Sequence, residues 1–248
     1  MTETPPLTPD DWAFFLDIDG TLIDIAPTPD TVVVPPGLPG ILGRLRDSTG
    51  GALALLTGRG LDTVDRLFTP VRLPVGAVHG TELRFPDGRI EAPAVADALS
   101  GIRNRLADFV AGHAGTLLED KGLALAVHFR AVPELHDAVE AEVREAAAAA
   151  EDVLTVQPGK AVFEIRPAHA DKGHALGVFM ENPGFKGKRP LAVGDDVTDE
   201  SMFKEAVRRG GRALRVGDAQ QGSHARQAFD NPDGVRAWLA DLVGQQLR

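Results

Sequence analysis

The chain has 248 residues, of which 43% are hydrophobic and 25% are charged, and it contains no cysteine. This length and composition are typical of a globular protein with one large domain or two smaller ones. The formal net charge of -10 disfavours nucleic acid and anionic membranes as partners, and the lack of cysteine excludes disulfides and a cysteine nucleophile. No apolar run approaches the ~20 residues that span a bilayer, and the N-terminus lacks the features of a signal peptide, so we expect a cytoplasmic protein.

Three apolar segments end in polar residues. They are WAFFLDIDGTL (residues 12–22), GALALLTGRG (51–60) and RPLAVGDDVTDE (189–200). Each apolar run is short and adjoins turn-forming and helix-like sequence, which is typical of parallel strands buried on both faces. The pattern predicts an α/β fold with a doubly wound, Rossmann-like parallel sheet. Ligands bind beyond the carboxyl ends of such strands, so we expect the three polar clusters to form one site.

A segment with a different pattern separates the second and third of these strands. It predicts a helix over 94–113, strands over 116–120 and 123–129, a helix over 133–150, and strands over 153–156 and 160–165. The turn-rich sequences FPDGRIEAP and RPAHADKG flank the segment and have the composition of linkers. We therefore expect a core formed by residues 1–86 and 167–248, and an inserted α+β domain formed by residues 87–166.

The sequence DIDG follows the first predicted strand and contains two carboxylates. Asp17 and Asp19 are two positions apart, so their side chains can face the same way, and Gly20 permits a tight turn after them. Neighbouring carboxylates repel each other unless a divalent cation lies between them or one is protonated, and Mg²⁺ prefers such oxygen ligands. A lone DxDG can equally be a surface turn, because Asp and Gly are common turn residues.

Further polar clusters occur where other predicted strands and helices meet. Thr57 in LLTGR can bind phosphate oxygens, or it can simply cap a helix. Lys172 in DKG can neutralise a phosphoryl oxygen, although most lysines are solvated surface charges. The carboxylates of GDDVTDE are close enough in sequence to repel one another, and a bound cation would offset this repulsion. The alternative is an ordinary acidic loop whose charges are solvated by water. This stretch contains Asp195, Asp196, Asp199 and Glu200.

Four stretches of the chain resemble the four motifs of the haloacid dehalogenase superfamily of phosphotransferases. In chain order, they are DIDGTL, LLTGR, the lysine of DKG and GDDVTDE. Four longer segments are similar to those of the trehalose-6-phosphate phosphatases. They are DIDGTLIDIAPTPD, LEDKGLALAVHFR, PGKAVFEIRP and GDDVTDE. The resemblance extends from Trp12 to Val216 and includes the insertion, which corresponds to the cap domain of that family. It implies a haloacid dehalogenase core with an inserted α+β cap.

The resemblance also implies a role for each catalytic residue. Asp17 corresponds to the nucleophile, and a carboxylate that is ionised at neutral pH can attack phosphorus to form an aspartyl-phosphate. Asp19 corresponds to the general acid and base, which protonates the departing sugar oxygen and later accepts a proton from water. Thr57 and Lys172 correspond to the residues that stabilise charge on the transferring phosphoryl group.

The same resemblance implies a Mg²⁺ site. Its ligands correspond to the carboxylates of Asp17 and Asp195 and the backbone carbonyl of Asp19. Asp196 and Asp199 correspond to residues that orient these ligands without contacting the ion. We therefore expect Mg²⁺ as the cofactor.

The predicted cap strands each have an apolar and a polar face. In LALAVHFR, Leu125, Val127 and Phe129 alternate with residues of the opposite face, and KAVFEIR alternates in the same way. Helices can cover the apolar side of such a sheet and leave the polar side open. This open face can be an ordinary surface of mixed charge, but the family resemblance implies that it binds the sugar hydroxyls. The residues that it assigns to substrate binding are Glu119, His128, Arg130, Lys160 and Glu164.

The function implied by the resemblance is Mg²⁺-dependent hydrolysis of trehalose 6-phosphate. One alternative is a phosphatase of the same superfamily that acts on sucrose 6-phosphate or mannosyl-3-phosphoglycerate. Another is a phosphosugar sensor without turnover, which the presence of both Asp17 and Asp19 disfavours. His79 in VHG also resembles a family motif, but a lone histidine is more often structural, so we do not assign it to the site. The expected partner is a small sugar phosphate; the oligomeric state is open, and a monomer is compatible with the sequence.

Overall fold

The computed structural model of the chain describes residues 7–26, 31–91, 95–120, 122–159, 161–168 and 171–244. The chain divides into two compact units, which are Met1–Glu91 with Asp171–Arg248, and Ala92–Ala170. We call them the core unit and the inserted unit. Each boundary lies a few residues C-terminal to the position expected from the sequence.

Most strands of the core unit are separated by helices along the chain. Its described strands are β1 (Trp12–Leu16), β2 (Leu53–Leu56), β3 (Val75–Ala77), β4 (Glu82–Arg84), β5 (Ile90–Glu91), β10 (Arg189–Gly194), β11 (Arg212–Val216) and β12 (Arg226–Phe229). Its described α-helices are α1 (Leu38–Ser48), α2 (Leu61–Phe68), α5 (Lys172–Glu181), α6 (Glu200–Arg208) and α7 (Pro232–Leu242). The strands and α-helices between β5 and α5, which account for the gap in numbering, belong to the inserted unit.

The core strands form an eight-stranded sheet in the order β12-β11-β10-β1-β2-β3-β4-β5. The pairs from β12 through β3 are parallel. Every residue of β1 is buried because helices cover both faces: Phe14 packs with Trp238 of α7, and Phe15 packs with Phe179 of α5. Burying one such aromatic side chain stabilises the fold by roughly 1.5–3 kcal/mol. The predicted doubly wound α/β fold is confirmed.

The edge formed by β4 and β5 is antiparallel, which the sequence did not indicate. The two strands are joined by a tight turn in which the Phe85 amide donates to the Arg89 carbonyl and Gly88 adopts a φ of +85°. The segment FPDGRIEAP is therefore not only a linker, because Ile90 and Glu91 pair with β4. A strand of two residues is too short for its periodicity to be recognised in the sequence.

The described part of the inserted unit contains four strands and two α-helices. They are α3 (Val95–Gly112), β6 (Leu117–Asp120), β7 (Leu125–His128), α4 (His136–Ala147), β8 (Leu154–Gly159) and β9 (Val162–Pro167). The strands form an antiparallel sheet in the order β6-β7-β9-β8. Both helices pack on one face of the sheet, where Leu125, Val127, Phe163 and Ile165 form the core. Strand β9 extends to Pro167 because this residue pairs with Leu154, so the unit continues past residue 166.

Candidate active site

The polar clusters of the core unit follow neighbouring strands of one sheet. Strand β1 lies between β10 and β2, with Leu16 in register with Val193 on one side and Leu55 on the other. The three strands are parallel, so the residues that follow them emerge at the same edge of the sheet. Asp17 follows β1, Thr57 follows β2 and Asp195 follows β10. The Asp17 amide donates to the Val193 carbonyl at 3.0 Å, which fixes the first of these positions.

A buried lysine connects two of the acidic clusters. Lys172 is the first residue of α5, and its Nζ lies 2.6 Å from Oδ1 of Asp17 and 2.6 Å from Oδ1 of Asp199. The side chains of all three residues are at most 7% exposed. Burial lowers the pKa of Lys172, but the two carboxylates raise it by more, so the net pKa lies above the usual value and the ammonium stays charged.

The acidic cluster contains more negative than positive charge. Oxygen atoms of Asp17, Asp195 and Asp199 all lie within 4.8 Å of one another, and the Lys172 ammonium contacts two of these three carboxylates. Burial raises the pKa of Asp17 to about 8; the charge of Asp199 adds to this effect and Lys172 opposes it. Burial also raises the pKa of Asp195, again with a contribution from Asp199. A divalent cation would supply the missing positive charge, so the donor set fits Mg²⁺.

Gly20 allows the DIDG turn to approach Asp195. It adopts a φ of +79°, and a Cβ atom at this position would lie only 2.2 Å from Oδ2 of Asp195. A side chain is therefore excluded by both the backbone conformation and the neighbouring carboxylate. The Thr21 hydroxyl donates to Oδ1 of Asp195 at 3.1 Å, so the turn also orients this carboxylate.

Asp199 and Asp196 have different roles in the GDDVTDE loop. Asp199 is completely buried, and its Oδ2 accepts hydrogen bonds from the amides of Asp195 at 2.9 Å and Asp196 at 3.0 Å. It therefore orients the backbone that carries Asp195. The side chain of Asp196 is exposed and forms a capping box with Asp199 over the turn at 197–199. The metal-compatible carboxylate group found among the described residues does not include it.

Asp19 forms a two-pronged ion pair that the sequence did not predict. Arg59 donates from Nε to Oδ2 at 2.7 Å and from Nη2 to Oδ1 at 2.6 Å. Arg59 lies in the LLTGR segment, and its amide donates to the hydroxyl oxygen of Thr57, which is buried. The sequence contains this arginine in the LLTGR segment, but its partner lies forty residues away, so no local pattern indicates the pair. The ion pair fixes the orientation of the Asp19 carboxylate.

His79 lies beside the turn that contains Thr57. Val78, His79 and Gly80 all have left-handed backbone conformations, with φ of 47°, 57° and 96°. The His79 amide donates to the Thr57 carbonyl at 2.8 Å, and a Cβ on Gly58 would lie 2.8 Å from the His79 ring. For Val78 and His79, which carry side chains, this conformation is unfavourable and persists only where surrounding contacts enforce it. His79 thus supports the turn, which is the kind of structural role that a lone histidine more often has.

A cavity of about 690 Å³ opens beside these groups within the core unit. Asp19, Arg59 and Asp195 form part of its polar lining. Ile25, Ala26 and Val32 form part of its apolar lining. A cavity with apolar walls and a few convergent charged groups is typical of a small-molecule site.

The open face of the inserted sheet carries several of the predicted sugar-binding residues. Glu119 and Glu164 lie in register on either side of Ala126, and Nε2 of His128 is 2.8 Å from Oε2 of Glu119. These side chains lie opposite the apolar core of the unit. Arg130 is exposed just beyond the end of β7. Lys160 lies outside the described residues.

Comparisons with known proteins identify the family of the chain. The trehalose-phosphatase family model matches residues 15–235. A protein named "probable trehalose-phosphate phosphatase" from Sinorhizobium fredii is 45% identical over 234 residues, which cover 94% of this chain and 88% of that protein. The trehalose-6-phosphate phosphatase of Escherichia coli is 38% identical over 240 residues, which cover 96% of this chain and 89% of the relative.

Solved structures show the same fold. A trehalose-6-phosphate phosphatase from Aspergillus fumigatus superimposes with a TM-score of 0.74 at 25% identity, covering 95% of this chain and 93% of that one. BT1666 from Bacteroides thetaiotaomicron, one of the phosphatases of the haloalkanoate (HAD) enzyme superfamily, superimposes with a TM-score of 0.57 at 19% identity, covering 97% and 98% of the two chains. Among the described helices, none is both long and apolar enough to cross a bilayer. The chain is an enzyme that belongs to the trehalose-phosphatase family.

Proposed function

We propose that this enzyme hydrolyses trehalose 6-phosphate to trehalose and phosphate, with Mg²⁺ as cofactor and an aspartyl-phosphate as intermediate. The observation that carries the proposal is the buried cluster in which Asp17 contacts Lys172 at 2.6 Å and lies within 4.8 Å of Asp195. It combines a carboxylate nucleophile, a cation and an acidic pair suited to a divalent metal. The names of the bacterial relatives and the fungal structure support the choice of substrate.

Asp17 is the proposed nucleophile. An oxygen of its carboxylate attacks phosphorus while the bond from phosphorus to the sugar oxygen breaks, and hydrolysis of the resulting acyl phosphate regenerates the carboxylate. The raised pKa of Asp17 reflects a buried site with too few positive charges. Positive charge beside this carboxylate favours its ionised, nucleophilic form and lowers its pKa.

Asp17 and Asp195 would hold Mg²⁺ through their carboxylates, together with the backbone carbonyl of Asp19. When bound, the ion neutralises the phosphate and the charge that develops on it. Asp199 maintains this ligand set by anchoring the amide of Asp195, and it shares the Lys172 ammonium with Asp17. Lys172 and the Thr57 hydroxyl then face the transferring phosphoryl group as stabilising donors.

Asp19 is the proposed general acid and base. In its protonated form it donates to the departing sugar oxygen, and in its ionised form it accepts the proton of the hydrolytic water. Its side chain lines the cavity and is 36% exposed, so a leaving group and a water molecule can reach it. Arg59 orients this group through the two-pronged ion pair when Asp19 is ionised, and through a hydrogen bond to the unprotonated oxygen when Asp19 carries the proton.

The open face of the inserted sheet is the proposed binding surface for the sugar. A disaccharide presents many hydroxyl groups, and charged side chains make the stronger hydrogen bonds to them. The proposed contacts are Glu119, His128, Arg130, Lys160 and Glu164. Because Glu119 already holds His128 at 2.8 Å, these two side chains are oriented in advance of substrate binding.

Phosphate release from a panel of sugar phosphates tests the proposal. Trehalose 6-phosphate, sucrose 6-phosphate and mannosyl-3-phosphoglycerate are compared at equal Mg²⁺ concentration, with and without a chelator. We expect kcat/KM to be at least about tenfold higher for trehalose 6-phosphate, and the activity to disappear with the chelator and return with Mg²⁺. A higher kcat/KM on another member of the panel would contradict the substrate, and activity that survives the chelator would contradict the metal.

A further inference from the structure

Asp195 is held at its backbone as well as at its carboxylate. Its amide donates to Asp199 and its Oδ1 accepts from Thr21. Its carbonyl oxygen accepts a hydrogen bond of 2.5 Å from Nη2 of Arg215. Asp195 is therefore anchored by three residues from three different parts of the chain.

The sheet places Arg215 at this position. Gly194, the residue before Asp195, is in register with Arg215 across the parallel pair of β10 and β11. The arginine side chain is only 10% exposed, and its Nε also donates to the Asp218 carbonyl at 3.1 Å. A buried guanidinium of this kind is rigid, always charged and able to donate several hydrogen bonds at fixed angles.

The carboxylate of Glu200 also contacts the guanidinium of Arg215. Its Oε1 lies 3.5 Å from Nη1 of Arg215. The same carboxylate accepts from the Ser223 hydroxyl at 2.6 Å and the His224 amide at 3.0 Å. Glu200 is thus the acidic residue of GDDVTDE that faces the loop after β11, and it is a separate group from the metal-compatible carboxylates.

We infer that Arg215 is a positioning residue for Mg²⁺ binding, which acts by fixing the backbone of Asp195 through its carbonyl oxygen. This inference rests on the proposed function. Mg²⁺ demands nearly ideal octahedral geometry, so a small displacement of one carboxylate weakens binding. Residues that orient metal ligands typically contribute about 10- to 100-fold to affinity. Loss of Arg215 leaves the Asp195 carbonyl without this charged donor and loosens the ligand.

The test compares Arg215→Gln with Arg212→Gln. Arg212 lies on the same strand but is exposed, and its guanidinium stacks over the Trp12 ring at 5.2 Å, away from the GDDVTDE loop. The Mg²⁺ dissociation constant is measured without substrate, by calorimetric titration and by the rise in melting temperature. We expect Arg215→Gln to weaken Mg²⁺ binding about 10- to 100-fold and Arg212→Gln to leave it unchanged.

Two further variants keep the test decisive. Arg215→Lys retains the charge but lacks the planar fork, and Glu200→Gln removes the carboxylate that faces Arg215; we expect each to weaken Mg²⁺ binding by less than Arg215→Gln. If Arg215→Gln does not fold, these two variants are compared with the wild type: weaker Mg²⁺ binding supports the inference, and unchanged Mg²⁺ binding in both overturns it. A purely structural role for Arg215 would lower the melting temperature of the metal-free protein without changing the dissociation constant, and that result overturns the inference.

The outcome for the wild-type enzyme separates this inference from the proposed function. If the wild type binds Mg²⁺ and the Arg215 variants bind it equally well, the inference is wrong and the function stands. If the wild type binds no Mg²⁺ in the titration, the proposed cofactor is wrong, and the inference fails with it.

Discussion

The ammonium of Lys172 lies between the carboxylates of Asp17 and Asp199, 2.6 Å from an oxygen of each. All three groups are buried, so neither carboxylate depends mainly on water for its stabilisation. Removal of one member of a buried charged group typically costs about 3–5 kcal/mol, because the remaining charges lose their partner. The same lysine that is proposed to stabilise the phosphoryl group therefore also maintains the fold around it.

Replacement of this lysine should reduce both activity and stability. We expect Lys172→Met to abolish phosphate release and to lower the free energy of unfolding by about 3–5 kcal/mol at neutral pH, measured by urea denaturation. Lys204→Met, an exposed lysine on α6, is the control and should change stability by less than about 0.5 kcal/mol. Equal effects of the two variants would contradict the role of Lys172.

The raised pKa of Asp17 predicts how the metal-free enzyme responds to pH. A carboxyl whose pKa is about 8 in the folded chain, above its value of 3.8 in the unfolded chain, binds more protons when folded. Its contribution to stability is complete below the unfolded pKa and is lost as the pH rises through about 8. We therefore expect the stability of the wild type relative to Asp17→Asn to fall between pH 5 and pH 8 in chelator, as measured by melting temperature.

Mg²⁺ should have the opposite effect, because a cation favours ionised Asp17. We expect the rise in melting temperature on adding Mg²⁺ to be larger at pH 8 than at pH 6, since protons compete with the ion at lower pH. Asp17→Asn is also expected to lose phosphatase activity while remaining folded. Release of phosphate by this variant at the wild-type rate would refute the assignment of the nucleophile.

Gly20 offers a test of the close approach between the DIDG turn and Asp195. We expect Gly20→Ala to lose most of its Mg²⁺ affinity and activity, because the new Cβ would occupy the space of the Asp195 carboxylate. Gly187→Ala is a matched control: Gly187 has a φ of +86°, but a Cβ atom there would meet no atom within 4 Å. Both variants should lose about 1–2 kcal/mol for the left-handed backbone, but only Gly20→Ala should lose metal binding.

The ion pair between Arg59 and Asp19 predicts a dependence on the leaving group. A sugar oxygen needs protonation as it departs, whereas p-nitrophenolate leaves readily without it. We compare kcat/KM, which reports the steps up to departure of the leaving group and not the later hydrolysis that both substrates share. We expect Arg59→Gln and Asp19→Asn to reduce kcat/KM at least about tenfold more for trehalose 6-phosphate than for p-nitrophenyl phosphate. A parallel loss of kcat/KM on both substrates would show that Arg59 acts elsewhere than on the general acid.

The open face of the inserted sheet predicts a different selectivity. We expect His128→Ala and Arg130→Ala to lower kcat/KM for trehalose 6-phosphate by about tenfold or more, with little change for p-nitrophenyl phosphate, which has no sugar to bind. Arg144→Ala removes an exposed arginine from α4, where it pairs with Glu140, and should alter neither value. If His128→Ala reduces kcat/KM equally for both substrates, its strand has a structural role and does not bind the sugar.

The doubly wound sheet was predictable because its strongest features are local. The strands around Phe14, Leu55 and Val193 are short apolar runs that end in glycine and carboxylates, and each run can be recognised without knowing its neighbours. The alternation of Val127 and Phe129 with His128 in the inserted sheet is local in the same sense, since successive side chains of a strand face opposite sides. These patterns predicted which residues are buried and which strand ends carry polar groups.

The connections between these elements required the tertiary structure. Arg59 and Asp19 are forty residues apart, and Arg215 and Asp195 are twenty apart, so each pair meets only because of the order in which the strands assemble. No local periodicity distinguishes an arginine that binds a carbonyl across two strands from one that faces water. The sequence could therefore place carboxylates at strand ends, while the packing of neighbouring strands decided which side chains hold them in position.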